Sequence, residues 1–179
     1  MLVILSGSSG VGKNTIINRI LEDMDNVELM PTMTTREKRP GEETGKPYIF
    51  ISKEEFERMI QADELVEHQI VHGFYYGTPK NIVNEKMKSN KILIKDIDVD
   101  GTQNLVKRLN NVVTIYLKPK SKEQLIERLI GRGEERIEAR LQRYEYEEAM
   151  SNTYKYILIN DQMEETVQKI KDIIKEEQG

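Results

Sequence analysis

The chain opens on Leu2-Val3-Ile4-Leu5, an unbroken apolar run, and passes at once into Gly7-Ser8-Ser9-Gly10-Val11-Gly12-Lys13. A buried strand that breaks into a Gly-rich turn and then a helix constrains the fold more than any other feature here. The glycines let the backbone curl so that several N–H groups point inward, and the following helix adds its positive end. Lys13 then reaches the outer phosphates of a nucleoside triphosphate. The pattern is GxxxxGK in residue type, spacing and context. One position departs from it, because Asn14 stands where a Ser or Thr usually offers a hydroxyl to magnesium. Thr15 still offers a hydroxyl nearby.

Apolar periodicity extends the reading along the chain. Leu2–Ser6 predicts a central strand, followed by a helix from Asn14 to Met24 with Ile16, Ile17, Ile20 and Leu21 on one face. Further core strands are expected at Lys91–Ile97, Val112–Leu117 and Tyr156–Ile159. Helices are expected at Gln103–Leu109, from a capping box at Ser121 to Ile130, at Arg136–Met150 and at Glu164–Glu177. Strands alternating with helices imply a parallel sheet covered on both faces. Residues 31–47 read instead as a polar, cation-bearing connection. Behind it come a strand at Tyr48–Ile51, a helix opened by Ser52, strands at Leu65–Val71 and Phe74–Tyr76, and a helix capped by Thr78 with Pro79 in its first position.

The chain has 179 residues and reads as one domain of ordinary size with a smaller inserted lobe. Its formal charge of −4 gives no global basic field, which argues against a nucleic-acid partner. Any anionic ligand must be held by local clusters of cations. Cysteine is absent, which excludes disulfides and thiolate metal sites and suits a reducing cytoplasm. No apolar run approaches the roughly 20 residues of a membrane span. Strand residues begin at Leu2, leaving no room ahead of them for a signal peptide.

Arg36 and Arg39 stand three apart on a turn-rich segment and can converge on one phosphate, since each guanidinium fork bonds two oxygens. Tyr48 and Tyr76 can add neutral donors. In order and spacing, Thr32-Met33-Thr34-Thr35-Arg36 with Arg39-Pro40-Gly41-Glu42, Tyr75-Tyr76-Gly77-Thr78-Pro79 and Asp96-Ile97-Asp98 resemble the guanylate kinase family. The resemblance runs over nearly the whole chain.

It implies an α/β P-loop three-layer fold with a parallel five-stranded core sheet (residues 1–31 and 89–179), an inserted GMP-binding lobe (32–88) and a helical Arg-rich lid (128–143). It implies phosphorylation of GMP and dGMP by ATP with magnesium. Carried over residue by residue, Gly7, Ser8, Ser9, Gly10, Val11, Gly12, Lys13, Asn14, Thr15 and Asn160 would bind ATP. Thr32, Arg36, Arg39, Tyr48, Glu67, Tyr76, Thr78 and Asp98 would bind GMP.

Glu67 matches the family's guanine-reading carboxylate, and the chemistry agrees. Guanine presents N1–H and the 2-amino group as adjacent donors, whereas adenine has an acceptor at N1 and no 2-amino group. Thr32 and Thr78 match hydroxyls suited to donating to guanine O6, and Asp98 matches a contact to the amine. Magnesium would rest on the phosphates, water and Asp96 or Asp98. Arg128, Arg132 and Arg140 resemble the lid and transfer arginines, which with Lys13 neutralise charge on the moving phosphoryl group. The stretch from Gly133 to Arg140 is shorter than the family's usual lid, which leaves the inner position open between Arg136 and Arg140. His68 and His72 have no expected catalytic role, and Tyr144, Tyr146 and Met150 are expected to pack. A different reading of the same resemblance is a non-catalytic module that holds a phosphopeptide in the GMP lobe. The intact phosphate loop and the lid arginines speak against it.

Overall fold

A computed structural model describes every residue of the chain except Lys46, His72 and Arg132. Five strands form an all-parallel sheet: β1 (Leu2–Gly7), β2 (Val27–Leu29), β7 (Ile92–Asp96), β8 (Val112–Lys118) and β9 (Tyr156–Ile159), in the order β2-β7-β1-β8-β9. All six residues of β1 are buried, as a central strand covered on both faces requires. Side chains alternate between two cores. Val3, Leu5, Ile92, Ile94, Ile115 and Leu117 pack under α1 (Lys13–Asp23) and α7 (Met163–Gln178). Leu2, Ile4, Leu93 and Ile97 face the other way, onto Val66, Val83 and Leu105.

A second, four-stranded sheet has the order β4-β3-β6-β5. Its strands are β3 (Thr32–Thr34), β4 (Tyr48–Phe50), β5 (Leu65–Val71) and β6 (Phe74–Pro79). Helix α2 (Lys53–Gln61) closes it with Phe56 and Met59 against Leu65, and the Ser52 hydroxyl caps that helix by accepting from the Glu55 amide. Helix α3 (Lys80–Lys86) leads back to the main sheet, where α4 (Val99–Val106) follows β7. Helices α5 (Lys122–Gly131) and α6 (Ile137–Met150) stand over the phosphate-loop end.

The structure corrects four local expectations. Thr32–Thr34 is a strand inside the segment expected to be a polar connection, held by ladder bonds to β4 and β6. Val27–Leu29 supplies an edge strand too short for periodicity to reveal. Thr78 does not cap α3: it lies in β6 opposite Glu67, and Pro79 occupies the cap with no side-chain bond. Helix α4 starts at Val99, four residues before the expected Gln103, because the Asp98 carboxylate accepts from the Gly101 amide and caps it there. Gly101 in that first turn weakens the propensity signal, but a Cβ there would lie 2.6 Å from Ile97.

Candidate active site

Gly7 ends β1 against β8. A Cβ at this position would lie 2.3 Å from the Leu117 carbonyl oxygen, and its φ of +140° suits only glycine. The chain then turns through residues 8–12 into α1, with Gly12 in the left-handed conformation at the cap. The first amides of α1 have no acceptor within the helix, so they face outward as donors. Lys13 folds over the turn, its Nζ donating to the Gly7 carbonyl at 2.5 Å and the Ser8 carbonyl at 3.2 Å. In front lies a cavity of about 370 Å³ lined by Ser9, Gly10, Gly12, Lys13, Asn14, Thr15 and Asp96.

The back of the loop is clamped. Asn160, 4% exposed just after β9, donates from Nδ2 to the Val11 carbonyl at 2.7 Å. Arg128 of α5 donates to the Val11 carbonyl at 3.3 Å and to the Asn160 carbonyl at 3.2 Å. Here Arg128 supports the loop from behind rather than lining the cavity in front of it. The Val11 side chain is fully buried in the core, so only its backbone is offered to a ligand.

A second cavity, about 270 Å³, is lined by Thr32, Tyr48, Glu67, Gln69, Val71, Tyr76, Lys95, Asp96 and Ile97. Glu67 reaches it through an irregularity in β5. The register with β6 shifts between Leu65 and Glu67, so Glu67 points inward although Leu65 and Val66 are already buried. The Thr78 hydroxyl donates to Glu67 Oε1 and accepts from the ammonium of Lys95, which itself lies 3.7 Å from Glu67 Oε1. Lys95 is 4% exposed, and burial pulls its pKa below the ordinary lysine value against the opposing pull of Glu67. Burial pushes the Tyr48 phenol up, so it remains a donor at neutral pH.

Beside this cavity the Arg36 guanidinium lies 5.3 Å from the centre of the Tyr48 ring, and its Nη2 donates to both Glu42 oxygens, at 2.8 and 3.0 Å. The same carboxylate accepts from the Arg39 amide at 2.8 Å. Glu42 thereby shapes the turn that carries both arginines, and the Arg36 bond lowers its pKa. The Arg39 residue is exposed.

Helix α6 contributes to a third wall. A cavity of about 560 Å³ is bordered by Gly7, Ser9 and Lys13 on one side and by Asp96, Asp98, Arg140, Arg143 and Glu147 on the others. Arg140 pairs with Glu134 at 3.0 Å, whereas Arg136 is exposed at the cap of α6. Arg143 joins α6 to the start of α4 through Asp100 at 2.8 Å and Asp98 at 3.4 Å. Burial raises the Asp98 pKa, opposed by the Gly101 amide and Arg143. Tyr146 does not pack as expected: it is exposed, bonds Asp100 at 2.5 Å and lies under Arg143.

The structure thus gathers Lys13, Asn14, Thr15 and Asp96 around one cavity, Thr32, Tyr48, Glu67 and Tyr76 around the next, and Asp98 with Arg140 around the third. Asp96 borders all three. Arg132 and His72 lie outside the described residues, and His68 is exposed. Sequence reasoning assigned no role to Lys95, Glu42 or Arg143. The signal for Lys95 was present, as a charge on the same face as Leu93 and Ile97 in a strand expected to be buried.

A family model described as guanylate kinase matches residues 1–177. The chain is 40% identical over 177 residues to a guanylate kinase of Prochlorococcus marinus subsp. pastoris, covering 97% of this chain and 96% of that one. A guanylate kinase of Thermotoga maritima is 37% identical, over 99% of this chain and 87% of its own. Among solved structures, guanylate kinase from Anaplasma phagocytophilum superposes with a TM-score of 0.76 at 31% identity, covering 99% of this chain and 85% of the other. With a family model spanning nearly every residue and relatives matched end to end, the chain belongs to the guanylate kinase family.

Proposed function

We propose that this chain transfers the γ-phosphoryl group of ATP to GMP, and to dGMP, producing GDP and dGDP. The observation that carries the reading is the common wall at Asp96: the cavity over the phosphate loop and the cavity that holds Glu67 meet there. A donor phosphate on the first and an acceptor nucleotide in the second would approach each other along that edge.

In this reading the amides of residues 8–15 and the Lys13 ammonium cradle the ATP phosphates, and Asn160 and Arg128 hold the loop that presents them. Arg36, Arg39, Tyr48 and Tyr76 take the GMP phosphate. Arg36 would exchange Glu42, which holds its guanidinium through Nη2, for that phosphate. Glu67 accepts the N1–H and 2-amino protons of guanine, and Asp98 borders the neighbouring cavity. The attacking phosphate oxygen is already ionised, so no general base is needed. Arg140, Arg132 and Lys13 neutralise charge as it shifts between the phosphates.

Among the described residues, no three His, Cys, Asp or Glu side chains gather as metal ligands. Magnesium fits such a site, because it binds through one or two carboxylates with phosphates and water supplying the rest. Asp96, exposed beside Lys13, and Asp98 would serve it; when bound, the ion supplies charge neutralisation for the triphosphate. We place residues 32–88 as the acceptor lobe and 128–143 as the lid on a core of the remaining chain, working in the cytoplasm. No helix among the described residues is long and apolar enough to cross a membrane.

A coupled assay of nucleoside diphosphate formation from ATP, magnesium and a panel of monophosphates tests the reading. GMP and dGMP are expected to be used far better than AMP, CMP or UMP. A folded protein that forms no GDP would overturn it.

A further inference from the structure

Lys95 is a charge in a layer built for hydrocarbon. It pairs in register with Ile4 of β1, and the same face of the sheet carries Leu2, Ile4, Leu93 and Ile97. An ammonium is held there only if its partners are good. Its Nζ donates to Thr78, and Thr78 passes its own hydroxyl proton to Glu67.

That proton count has a chemical consequence. A threonine hydroxyl has one proton, and here it is committed to Glu67, so Thr78 has none to give to a ligand. The role expected for Thr78, donation to the purine 6-oxygen, therefore passes to its neighbour. An ammonium has three N–H donors, of which one is spent on Thr78. Lys95 also lines the same cavity as Glu67, Thr32 and Tyr76.

We propose that Lys95 is a specificity-determining residue of the base pocket, its ammonium donating to the 6-carbonyl oxygen of guanine beside the carboxylate that accepts from N1–H and the 2-amino group. This rests on the GMP reading above. Guanine offers acceptor, donor, donor along that edge, and Lys95 with Glu67 offers donor, acceptor, acceptor. Atoms O6 and N1 are neighbours on the purine, so their partners must stand side by side, as these two do at 3.7 Å. Adenine would set its 6-amino donor against the ammonium and leave both protein charges unanswered.

The test compares wild type with Lys95→Met on GMP, IMP and 6-thio-GMP, with ATP and magnesium. IMP keeps the 6-oxygen and N1–H but lacks the 2-amino group, while 6-thio-GMP replaces the oxygen by a poor acceptor. Lys95→Met should lower kcat/KM for GMP and IMP by about 10- to 100-fold, chiefly through KM, with the KM for ATP unchanged. The loss for 6-thio-GMP should be several times smaller, and Lys95→Gln, which keeps a neutral donor, should lie between. Equal losses on all three nucleotides would mean that Lys95 acts only by supporting Glu67, and would overturn the proposal. If Lys95→Met does not fold, as judged by circular dichroism, Lys95→Gln takes its place: a larger loss for GMP than for 6-thio-GMP supports the contact, and equal losses overturn it. A wild type that makes no GDP refutes the kinase reading instead. Calorimetric titration of GMP, IMP and 6-thio-GMP into both proteins then reads the contact directly, with the same expected and overturning orders.

Discussion

Removing either member of the Glu67–Lys95 pair should destabilise the fold, and removing both should largely restore it. Glu67 is 6% exposed and Lys95 4%, so neither side chain can turn to water when its partner is neutralised. Breaking a buried pair from one side typically costs 3–5 kcal/mol, because an uncompensated charge stays behind, whereas an apolar replacement of the whole pair is often neutral or better. The lower end applies here. The Thr78 hydroxyl remains as a partner in either single variant, and the Lys95 ammonium can shed its proton when Glu67 is gone. Glu67→Gln and Lys95→Met are therefore each expected to lose about 3 kcal/mol, equivalent to roughly 6–12 °C in Tm for a chain of this size. The double variant leaves no buried charge, and with a neutral amide still facing Thr78 it is expected within about 1–2 kcal/mol of wild type. Urea unfolding followed by far-ultraviolet circular dichroism, without nucleotide, measures all four proteins. A double variant whose loss equals the sum of the two single losses would refute the reasoning, since non-interacting sites add.

Gly7→Ala should cost about 3 kcal/mol or more, from overpacking against the Leu117 carbonyl on β8 and from backbone strain at φ +140°, and a urea titration showing under about 1 kcal/mol would contradict the packing described. Asn160→Ala removes the buried bond to Val11 and should raise the KM for ATP while leaving that for GMP unchanged; a parallel rise in both would place Asn160 outside the donor site. For Glu42→Gln the sign follows from its lowered pKa. The native carboxylate holds its proton less tightly than the unfolded one, so its contribution is complete above the ordinary value of 4.5 and lost as pH falls through the lower native value. The stability gap between wild type and Glu42→Gln should be flat above about pH 5 and narrow progressively as pH falls below the ordinary carboxylate range in pH-dependent melts.

How much of this was readable in advance depended on whether the information was local. Strand β1, the loop and α1 were legible because a strand, a phosphate turn and a helix each leave a mark within a few residues. Strand β3 left none: Thr32-Met33-Thr34 has no amphipathic run and is a strand only because β4 and β6 arrive on either side of it. Thr78 looked like a helix cap for the same reason, being followed by Pro79, yet the register of β5 claims it for Glu67. Tyr146 sits on a helix and reads as packing until Asp100, 46 residues away, supplies its partner. In each case the missing term was a tertiary contact, which overrides propensity without changing composition.

The cations around the three cavities share one further property. Lys13 rests on the Gly7 and Ser8 carbonyls, Arg36 on Glu42, Arg140 on Glu134, and Arg143 on Asp98, Asp100 and Glu147. Each of these charges is thus held by protein acceptors, and the proposed phosphates would bind by exchange rather than by meeting an isolated charge. Exchange yields only the difference between two ionic contacts, so it adds little to affinity by itself. It does tie occupancy to backbone position. Phosphate on Arg36 would replace its contact with the Glu42 carboxylate that also holds the Arg39 amide, and phosphate on Arg140 would replace its contact with Glu134, in the link between α5 and α6. A ligand can shift a conformational equilibrium only as far as its contacts differ between the two states, and these exchanged pairs are where such a difference would arise.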